Sequence, residues 1–430
     1  MSNDLTKMIE PGRVHRDIYL DPEIFEIEMD RIFGRAWIFV GHDSQTPHAG
    51  DFITTSIGRQ PVVMSRHTDG EIHVLFNRCG HRGAIVCNEA KGNARKFQCL
   101  YHGWTYNTDG TLRGVPLPEG YPEDFEVGKA GMGSLPRVDS YRGFVFACLN
   151  PDVEDLESHL GPTKACIDNL CDRAPDGEIM LTGGVHRYRF DGNWKLQLEN
   201  TLDSYHVPFA HESTVDRSGK QFSRREGDAE GAQVVSGEEE ETHHTWKERG
   251  AWAFDHGHGF TGNTALDEKT RSSPVYDEYK AALEARLGAQ QAEEVLTPFF
   301  HNALIYPNMS FMGLNMHIRV IKPVAVDRTE VNVYPVLLKG APHAMNQSTI
   351  RLLNVTHAAA SFVQTDDLEA FARCQSGVVG DSSKWVYFNR GLGEHTEAQN
   401  WGGREGKSTQ ELVLRNQYDG WLEYMGGAAK

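Results

Sequence analysis

The chain has 430 residues, of which 39% are hydrophobic and 10% aromatic, enough for a sizeable core and too many for a disordered chain. It carries 43 Lys and Arg against 60 Asp and Glu, for a formal net charge of -17, which argues against nucleic acid or an anionic membrane as a main partner. No apolar run is long enough to span a membrane, and the first residues lack the apolar stretch of a secretion signal. The 7 cysteines are an odd number and do not suggest a disulfide framework, so we expect a reduced, cytoplasmic protein.

A helix is predicted over residues 21–37, because apolar residues recur at helical spacing after Asp21, a suitable N-cap, and Pro22, a favoured first position. From about 40 to 150, short β-rich runs separated by Asp-Gly and Gly/Pro turn signals predict a small all-β domain. Beyond 150, helical and strand-like stretches alternate, as is typical of an α+β domain. The polar segment 217–245 is interpreted as a mobile surface loop or lid. The predicted helices are 154–172, 196–206, 275–296 and 366–376, and the predicted strands are 184–190, 303–312, 316–324 and 329–338.

Two short motifs in the β-rich region each combine one cysteine with one histidine: Cys79-Gly-His81 and Cys99-Leu-Tyr-His102. If the two loops converge, as hairpin tips do, their four side chains can hold one metal cofactor. Zinc is the alternative, but zinc sites usually space like ligands with like, whereas one of each per loop suits a [2Fe–2S] cluster with both thiolates on one iron and both imidazoles on the other. Glycines in the loops are expected to let backbone N–H groups approach the bridging sulfurs. These glycines are Gly80, Gly83 and Gly103.

The two loops resemble the Rieske domains of aromatic-ring-hydroxylating oxygenases. High-potential Rieske proteins of respiratory complexes carry an extra cysteine in each loop, joined as a disulfide, and the corresponding positions here are Ala84 and Tyr101. The resemblance is therefore to the low-potential, oxygenase type of cluster. The cluster ligands that it implies are Cys79, His81, Cys99 and His102.

A second motif, in the α+β region, contains His206 and His211 with Pro208 between them. On a continuous helix two residues five apart would point about 140° away from each other, but a proline there should end or kink the helix and let His211 face His206. Two neutral imidazoles and one carboxylate leave open positions on a ferrous ion, the facial triad that activates O2. A bare histidine pair equally fits a capped or core pair, but after an oxygenase-type Rieske domain it favours iron. Nearly all of 193–211 resembles the motif of the family.

The third iron ligand is expected from Thr365-Asp366-Asp367-Leu-Glu369. From the residues alone this segment is a helix start, in which Asp366 and Glu369 form a capping box and Asp367 is left to point at the iron. The resemblance implies Asp367 as the ligand, and Asp366 is the alternative.

Asp203 lies one turn before His206 and can accept a hydrogen bond from the free N–H of that ring. The resemblance implies that this aspartate also bonds a cluster histidine, here His102, of a neighbouring subunit, so that electrons pass between subunits arranged in a ring of three. Asn200, beside the ligands in the sequence, is expected to line the cavity. Asp203, as electron-transfer bridge, and Asn200 are the two catalytic candidates.

The resemblance covers essentially the whole chain and is strongest to the large (alpha) subunits of the benzoate, toluate and anthranilate dioxygenases. Motifs that carry it are Asp51-Phe-Ile-Thr-Thr, Ser140-Tyr-Arg-Gly-Phe and Tyr306-Pro-Asn. It implies an oxidoreductase that uses O2 and electrons from NADH for cis-dihydroxylation of a benzoate-like aromatic carboxylate. Monohydroxylation of a salicylate-type acid, O-demethylation and dioxygenation of a neutral arene are alternatives within the family. An electron carrier with a non-catalytic second domain and a structural zinc protein are alternatives outside it.

The fold that the resemblance implies is α+β. It consists of an all-β Rieske [2Fe–2S] domain, 39–155, and a larger catalytic domain, 156–430, with an antiparallel sheet and one mononuclear Fe(II); an N-terminal helical segment, 1–38, packs on the catalytic domain. Because the chain has no dinucleotide fingerprint, a separate flavin/iron–sulfur reductase, with or without a ferredoxin, must supply electrons. The family also implies a small β subunit and an α3 or α3β3 assembly. A substrate carboxylate needs a cationic partner, for which Arg319 is the candidate.

Overall fold

The computed structural model describes residues 5–211, 249–263, 273–297, 299–313 and 316–426. The predicted loop 217–245 lies outside the described residues. The chain divides into two compact units, one made of Met29–Leu156 and the other of Met1–Glu28 together with Glu157–Lys430. The domain boundaries expected from the sequence, after residues 38 and 155, stay predictions.

The α-helices of the described residues are numbered in chain order. They are α1 Asp17–Leu20, α2 Pro22–Arg31, α3 Leu156–Leu160, α4 Lys164–Asp172, α5 Trp194–Leu202, α6 Val207–Ala210, α7 Pro274–Leu287, α8 Ala289–Leu296, α9 His343–Thr356, α10 Gln364–Gly377 and α11 Leu412–Met425.

The strands are numbered in the same way. They are β1 Ile9–Glu10, β2 Arg13–His15, β3 Ile38–His42, β4 Asp51–Ile57, β5 Gln60–Arg66, β6 Ile72–Phe76, β7 Lys91–Asn93, β8 Phe97–Gln98, β9 Thr105–Tyr106, β10 Leu112–Gly114, β11 Arg137–Tyr141, β12 Phe144–Cys148, β13 Ile179–Met180, β14 His186–Phe190, β15 Gly250–Ala253, β16 Gly259–Asn263, β17 Phe299–Ile305, β18 Met309–Met312, β19 His317–Ala325, β20 Arg328–Pro335, β21 Leu337–Leu338, β22 Trp385–Tyr387, β23 Thr396–Glu397 and β24 Arg404–Lys407.

The smaller unit is built from antiparallel sheets, with strand orders β6-β5-β4-β7, β10-β9-β8 and β11-β12-β3. The loop that follows β6 carries Cys79, and the turn between β8 and β9 carries Cys99. Both cysteines belong to one buried cluster of hydrophobic side chains. The prediction of a small all-β domain is confirmed, and the fold places the two cysteine loops at neighbouring ends of its strands.

The larger unit contains an antiparallel sheet with strand order β14-β20-β19-β18-β17-β16-β15-β24-β23. Helix α5 packs on this sheet against β16, β17 and β19, and α10 packs beside α5, α6 and β14. Helix α5 begins where the Asn193 side chain accepts a hydrogen bond from the Lys195 N–H, at 3.2 Å, an N-cap interaction. The prediction of an α+β domain with an antiparallel sheet is confirmed, and the sheet is the platform for the helices that carry the second motif.

The predicted helix over 21–37 is too long. Helix α2 ends at Arg31, and the Asp21 carboxylate accepts a hydrogen bond from the Glu23 N–H at 2.7 Å, as expected of a residue before a helix. Residues 32–35 form a turn, in which Ile32 and Phe33 are buried. A Cβ on Gly34 would lie 2.1 Å from the carbonyl oxygen of Asp30, so this turn requires a glycine.

A buried ion pair connects three helices of the larger unit. The Glu28 carboxylate of α2, fully buried, accepts hydrogen bonds from Lys195 Nζ at 2.6 Å, from Trp194 Nε1 at 2.9 Å and from Trp421 Nε1 at 2.7 Å. Burial lowers the pKa of Lys195, and the nearby charge of Glu28 opposes that effect. The network fixes the start of α5 against α2 and α11.

Replacing Glu28 by Ala is expected to lower the free energy of unfolding by about 3–5 kcal/mol, because Lys195 would keep its charge in the core without a partner. Thermal and urea unfolding of the holoprotein measure the change. The double variant Glu28→Leu/Lys195→Met is the matched control, since it removes both charges and should recover most of the loss. A Glu28→Ala protein as stable as the wild type would contradict this account.

Candidate metal centres

The two cysteine loops share one backbone conformation. In each, the cysteine N–H donates to the carbonyl five residues on, and the cysteine carbonyl accepts from the N–H four residues on. The bonds are Cys79 N–H to Ala84 at 2.8 Å, Gly83 N–H to Cys79 at 3.0 Å, Cys99 N–H to Trp104 at 2.8 Å and Gly103 N–H to Cys99 at 3.0 Å. The two loop glycines have φ of 77° and 71°, a left-handed conformation that favours glycine. Their N–H groups therefore close the turns, rather than serving sulfur atoms as the sequence suggested.

The loop side chains separate by type. The thiols of Cys79 and Cys99 are buried, whereas the rings of His81 and His102 are half-buried, with their centroids 4.6 Å apart. The buried Nδ1 atom of His81 has no hydrogen-bond partner in the described part of the chain, as expected of a nitrogen reserved for a metal. Its ring stacks on Trp104 at 5.0 Å, a support that the sequence analysis missed. Two inner thiols and two outer imidazoles fit a Rieske cluster.

Tyr106 tunes one of the thiols. Its buried hydroxyl lies 3.1 Å from Cys79 Sγ and accepts the Gly80 N–H at 3.0 Å. Burial alone would raise the pKa of the Cys79 thiol, but hydrogen bonds from Tyr106 and from the backbone of the loop lower it below its ordinary value. A hydrogen bond to a ligand sulfur is one of the means by which proteins set the potential of a cluster.

The variant Tyr106→Phe is expected to lower the reduction potential of the cluster, because it removes a hydrogen bond that stabilises the more negative, reduced state. An EPR-monitored redox titration measures the shift. Tyr121→Phe is the matched control, since the Tyr121 hydroxyl accepts a hydrogen bond from Trp104 Nε1 at 3.1 Å and bonds no thiol. Equal potentials in Tyr106→Phe and wild type would refute the tuning role.

In the larger unit, His206 and His211 flank the short helix α6. Helix α5 ends at Leu202, the chain turns over the next residues, and α6 runs from Val207 to Ala210 between the two histidines. The expected break at Pro208 is therefore misplaced, because Pro208 lies in the first turn of α6, where proline is tolerated. The consequence is the one expected: the ring centroids of the two histidines are 5.4 Å apart.

Asp367, on α10, meets both histidines. Its Oδ1 lies 3.6 Å from His206 Nε2 and 3.3 Å from His211 Nε2, and the three residues each offer a ligand atom within 4.8 Å of the others. Burial would raise the pKa of Asp367, but the hydrogen bond and charge of His211, with the charges of His206 and Arg319, lower it to about 2. Two imidazole nitrogens and one ionised carboxylate thus converge on one point, which fits an iron triad.

The Nδ1 atom of each histidine contacts a carboxylate other than that of Asp367. His206 Nδ1 lies 3.2 Å from Asp203 Oδ2, and His211 Nδ1 lies 3.3 Å from Asp366 Oδ2. Because an ionised carboxylate only accepts, each Nδ1 is the donor of its hydrogen bond, and Nε2 is the nitrogen that is left to face a metal. Asn200 Nδ2 donates to Asp367 Oδ1 at 2.9 Å. The expected hydrogen bond of Asp203 is present, and Asn200 lies at the centre of the group.

The predicted capping box at Asp366 is wrong. Helix α10 begins at Gln364, two residues before Asp366, and its N-cap position makes no side-chain hydrogen bond. Glu369 pairs instead with Arg373 at 2.8 Å. Neighbouring residues on a helix point about 100° apart, so Asp367 faces the Nε2 atoms while Asp366 reaches the Nδ1 of His211. The adjacent aspartates were the available signal for this second partner.

Two protein families and several known proteins are similar to this chain. Residues 180–427 match the family described as ring hydroxylating alpha subunit (catalytic domain), and residues 36–135 match the Rieske [2Fe-2S] domain. The chain is 35% identical to the 2-halobenzoate 1,2-dioxygenase large subunit of Burkholderia cepacia, over 88% of this chain and 80% of that one. It is 35% identical to the anthranilate 1,2-dioxygenase large subunit of Acinetobacter baylyi, over 89% and 81%. The solved structure of naphthalene 1,2-dioxygenase from Rhodococcus sp. bound to indole matches with a TM-score of 0.83 and 27% identity, covering 100% of both chains.

The chain belongs to the ring-hydroxylating alpha subunit family. It is a Rieske oxygenase large subunit of the aromatic ring-hydroxylating dioxygenase type, an oxidoreductase that uses O2, with a [2Fe–2S] cluster and a mononuclear iron as cofactors. The Rieske match decides between an iron–sulfur cluster and zinc at the cysteine loops in favour of the cluster. None of the described helices has the length and apolar character that crossing a bilayer requires.

Proposed function

We propose that this chain is the catalytic large subunit that cis-dihydroxylates a benzoate-like aromatic carboxylate with O2 and electrons drawn from NADH. The observation that carries the proposal is the convergence of His206 Nε2, His211 Nε2 and Asp367 Oδ1 on one point. Support for an acidic substrate comes from relatives that are named for 2-halobenzoate and anthranilate. Monohydroxylation of a salicylate-type acid, O-demethylation and dioxygenation of a neutral arene are the other outcomes of the product test.

The residues divide between two cofactors. Cys79, Cys99, His81 and His102 would hold the cluster, and His206, His211 and Asp367 would hold the mononuclear iron. When bound, these groups supply the electrons and the activation of O2 that ring hydroxylation needs.

The surrounding side chains orient the iron ligands. Asp203 and Asp366 each lie within hydrogen-bond distance of the Nδ1 of their histidine, and both Nε2 atoms face Asp367. The pKa of Asp367, about 2, keeps its carboxylate ionised. Asn200 donates to Asp367 Oδ1 and so fixes the orientation of that carboxylate.

The partners follow from the proposal. The reductase, with or without a ferredoxin, would deliver electrons to the cluster, and a small β subunit would complete an α3 or α3β3 assembly in the cytoplasm. Asp203 would bridge His206 to His102 of a neighbouring subunit and carry electrons between them. The support is the position of Asp203 against His206, together with the resemblance to the family.

Metal analysis tests the two centres. Anaerobically purified wild type should contain about three irons and two acid-labile sulfides per chain and show a Rieske EPR signal. His206→Ala should lose about one iron and keep the EPR signal, because it removes a ligand of the mononuclear site alone. His395→Ala, an exposed histidine, is the control and should keep every iron. A His206→Ala protein with the full iron content would overturn the triad.

Product analysis tests the reaction. With reductase and NADH supplied, benzoate and labelled O2 should give a cis-diol in which both new oxygens are labelled. A singly labelled phenol from salicylate, or a demethylated product, would favour one of the alternative reactions over dihydroxylation. Turnover of neutral arenes alone would contradict the proposal that the substrate is an aromatic acid.

The variant Asp203→Asn is expected to keep both metal centres and to lose turnover, because the amide no longer bridges the two centres as a charged acceptor. Stopped-flow oxidation of the reduced cluster, on mixing with substrate and O2, measures the electron-transfer step directly.

Asp366→Asn is the matched control for Asp203→Asn, since it changes the equivalent hydrogen bond on the other histidine. It should likewise keep both metal centres, but leave cluster oxidation far faster than in Asp203→Asn. Near-normal product formation by Asp203→Asn would contradict the proposed role of Asp203 as an electron-transfer bridge.

A further inference from the structure

Glu199, on α5, carries a carboxyl group whose oxygen meets two tyrosine hydroxyls. Its Oε1 lies 2.9 Å from the Tyr19 hydroxyl of α1 and contacts the Tyr418 hydroxyl of α11. The two hydroxyl oxygens are 2.5 Å apart. Both tyrosines are buried, and Glu199 is half-buried. Each of the three oxygens therefore contacts the other two, and we call this group the oxygen triangle: Glu199 Oε1 and the hydroxyl oxygens of Tyr19 and Tyr418.

The oxygen triangle needs a third proton. A hydrogen bond between two oxygens requires one proton, and each tyrosine hydroxyl supplies only one. If Glu199 were ionised, two protons would serve three contacts, and the lone pairs of two oxygens would face each other. With a proton on Glu199, every oxygen of the triangle donates one hydrogen bond and accepts one. The contact geometry therefore favours a protonated Glu199.

The charges around Glu199 place its titration near neutral pH. Burial raises the pKa of Glu199 from 4.5 to about 7, and the negative charge of Asp203 adds to the rise. The hydrogen bonds from Tyr418 and Tyr19 and the positive charge of Lys195 oppose it. Because these effects nearly balance at neutral pH, a modest change of charge nearby is enough to change the protonation of this carboxyl group.

A cavity of about 340 Å³ borders Glu199, and Tyr19 lines it as well. Exposed residues form the outer part of its wall, so water can enter the cavity and exchange a proton with the carboxyl group. These exposed lining residues are Gly377, Gly380, Ser382 and Ser383.

Two further groups border the same cavity. The charge of Glu199 raises the pKa of the Cys374 thiol on α10, in addition to the larger effect of burial. The Arg16 guanidinium donates to Asp381 Oδ1 at 2.5 Å and to the carbonyl oxygen of Val379 at 3.1 Å. Its charge is therefore paired with another carboxylate and leaves the titration of Glu199 to the oxygen triangle.

Asp203, the proposed electron-transfer bridge, lies four residues beyond Glu199, at the end of α5. Side chains four residues apart on a helix are neighbours, and like charges at these positions repel each other. An ionised Glu199 would therefore place a second negative charge beside the Asp203 carboxylate, which lies 3.2 Å from His206 Nδ1. An electron that arrives at the iron site adds more negative charge to the same region. A proton on Glu199 removes one of these charges.

The reaction also requires protons. Cis-dihydroxylation of an arene consumes one O2, two electrons and two protons, and the two protons end on the hydroxyl groups of the diol. A reductase would deliver the electrons, whereas the protons must come from water. An acid that exchanges protons with water beside the electron bridge meets this requirement.

We propose that Glu199 takes up a proton from the cavity into the oxygen triangle, so that only one negative charge lies beside Asp203 while an electron crosses to the iron site. This inference rests on the proposed function, in which Asp203 is the bridge. The only bond that forms is the O–H bond of Glu199, with a proton that water in the cavity supplies. Glu199 contacts neither substrate nor metal, so it is a positioning residue that acts through Asp203.

Infrared spectroscopy of the resting holoenzyme tests the protonation without turnover. Wild type should show the absorption of a protonated carboxyl group that disappears with a midpoint near pH 7, the pKa of Glu199. Glu199→Gln, which keeps the shape of the side chain and is neutral at every pH, should lack this absorption while retaining full iron and sulfide content. Identical pH-dependent spectra of wild type and Glu199→Gln would overturn the proposal.

The pH dependence of cluster oxidation tests the effect on electron transfer. On mixing reduced wild type with substrate and O2, oxidation should be about 2–10-fold slower well above the midpoint than well below it, because Glu199 is then ionised. Glu199→Gln should lose this difference and keep the faster rate. The pH dependence that other groups cause is common to both proteins. A Glu199→Gln protein with the same pH profile as wild type would contradict the role of Glu199.

Tyr418→Phe separates titration of Glu199 from a merely structural role. It removes a hydrogen bond that favours the ionised carboxylate, so the midpoint should move to higher pH. The infrared and kinetic midpoints should move together, and a shift in only one of them would overturn the proposal.

Glu411→Gln is the matched control, because Glu411 is another acid whose pKa is raised by burial and by the charge of Asp203. Its Oε2 accepts the Arg390 N–H at 2.8 Å, and it lies outside the oxygen triangle. This variant should keep the pH profile of wild type. If Glu411→Gln abolishes the pH dependence and Glu199→Gln does not, the proposed assignment to Glu199 is wrong.

The two measurements separate this inference from the proposed function. If wild type dihydroxylates benzoate and Asp203→Asn blocks cluster oxidation, but Glu199→Gln matches wild type in both pH profiles, the inference alone fails. If Asp203→Asn oxidises its cluster normally, the bridge of the proposed function fails, and the link between Glu199 and electron transfer fails with it. The infrared titration of Glu199 would be unaffected by that outcome.

Discussion

The candidate active site depends on the orientation of two imidazole rings. A histidine can bind a metal through Nε2 only if the proton stays on Nδ1, and in this chain a separate carboxylate holds each Nδ1: Asp203 for His206 and Asp366 for His211. Both free nitrogens then meet at Asp367 Oδ1. Three carboxylates therefore contact the two imidazole rings, and only one of these carboxylates, that of Asp367, has to bind the metal. Exchanging any of these roles would change the tautomer or the charge at the metal, which is why the spacing of the acids matters as much as the histidines.

Such a group can be held only by elements that do not move. Asn200 and Asp203 lie on and just beyond α5, and the start of α5 is fixed by the buried pair of Lys195 and Glu28. Sites built on packed helices and strands hold geometry better than sites on free loops. The smaller unit meets the same demand differently, since each of its cysteine loops is a tight turn closed by two backbone hydrogen bonds. In both units the ligands are positioned by the backbone geometry and the side-chain packing around them.

The ligand candidates could be predicted from the sequence because they lie close together in it. Each cysteine lies within three residues of its histidine, and His206 and His211 flank one proline. The fold class also followed from periodicity and turn signals. Helix ends did not, because they depend on the packing of distant residues. The predicted helix 275–296 is divided into α7 and α8 at Gly288, which has φ of 81°, and Asp366 bonds a histidine far along the chain instead of capping its own helix. The contact between Arg319 and Tyr188 was equally hidden, since the two residues are far apart in the sequence and only the sheet brings them together.

The chain uses its two buried cations in different ways. Lys195 is paired with Glu28 and contributes to the scaffold that holds the start of α5. Arg319 contacts the Tyr188 hydroxyl, and its charge helps to lower the pKa of Asp367, together with the larger effects of the two histidines. A nearby positive charge favours the ionised form of a carboxyl group. A cation whose burial is unfavourable by itself therefore stabilises the charged form of the acid that meets the two histidines.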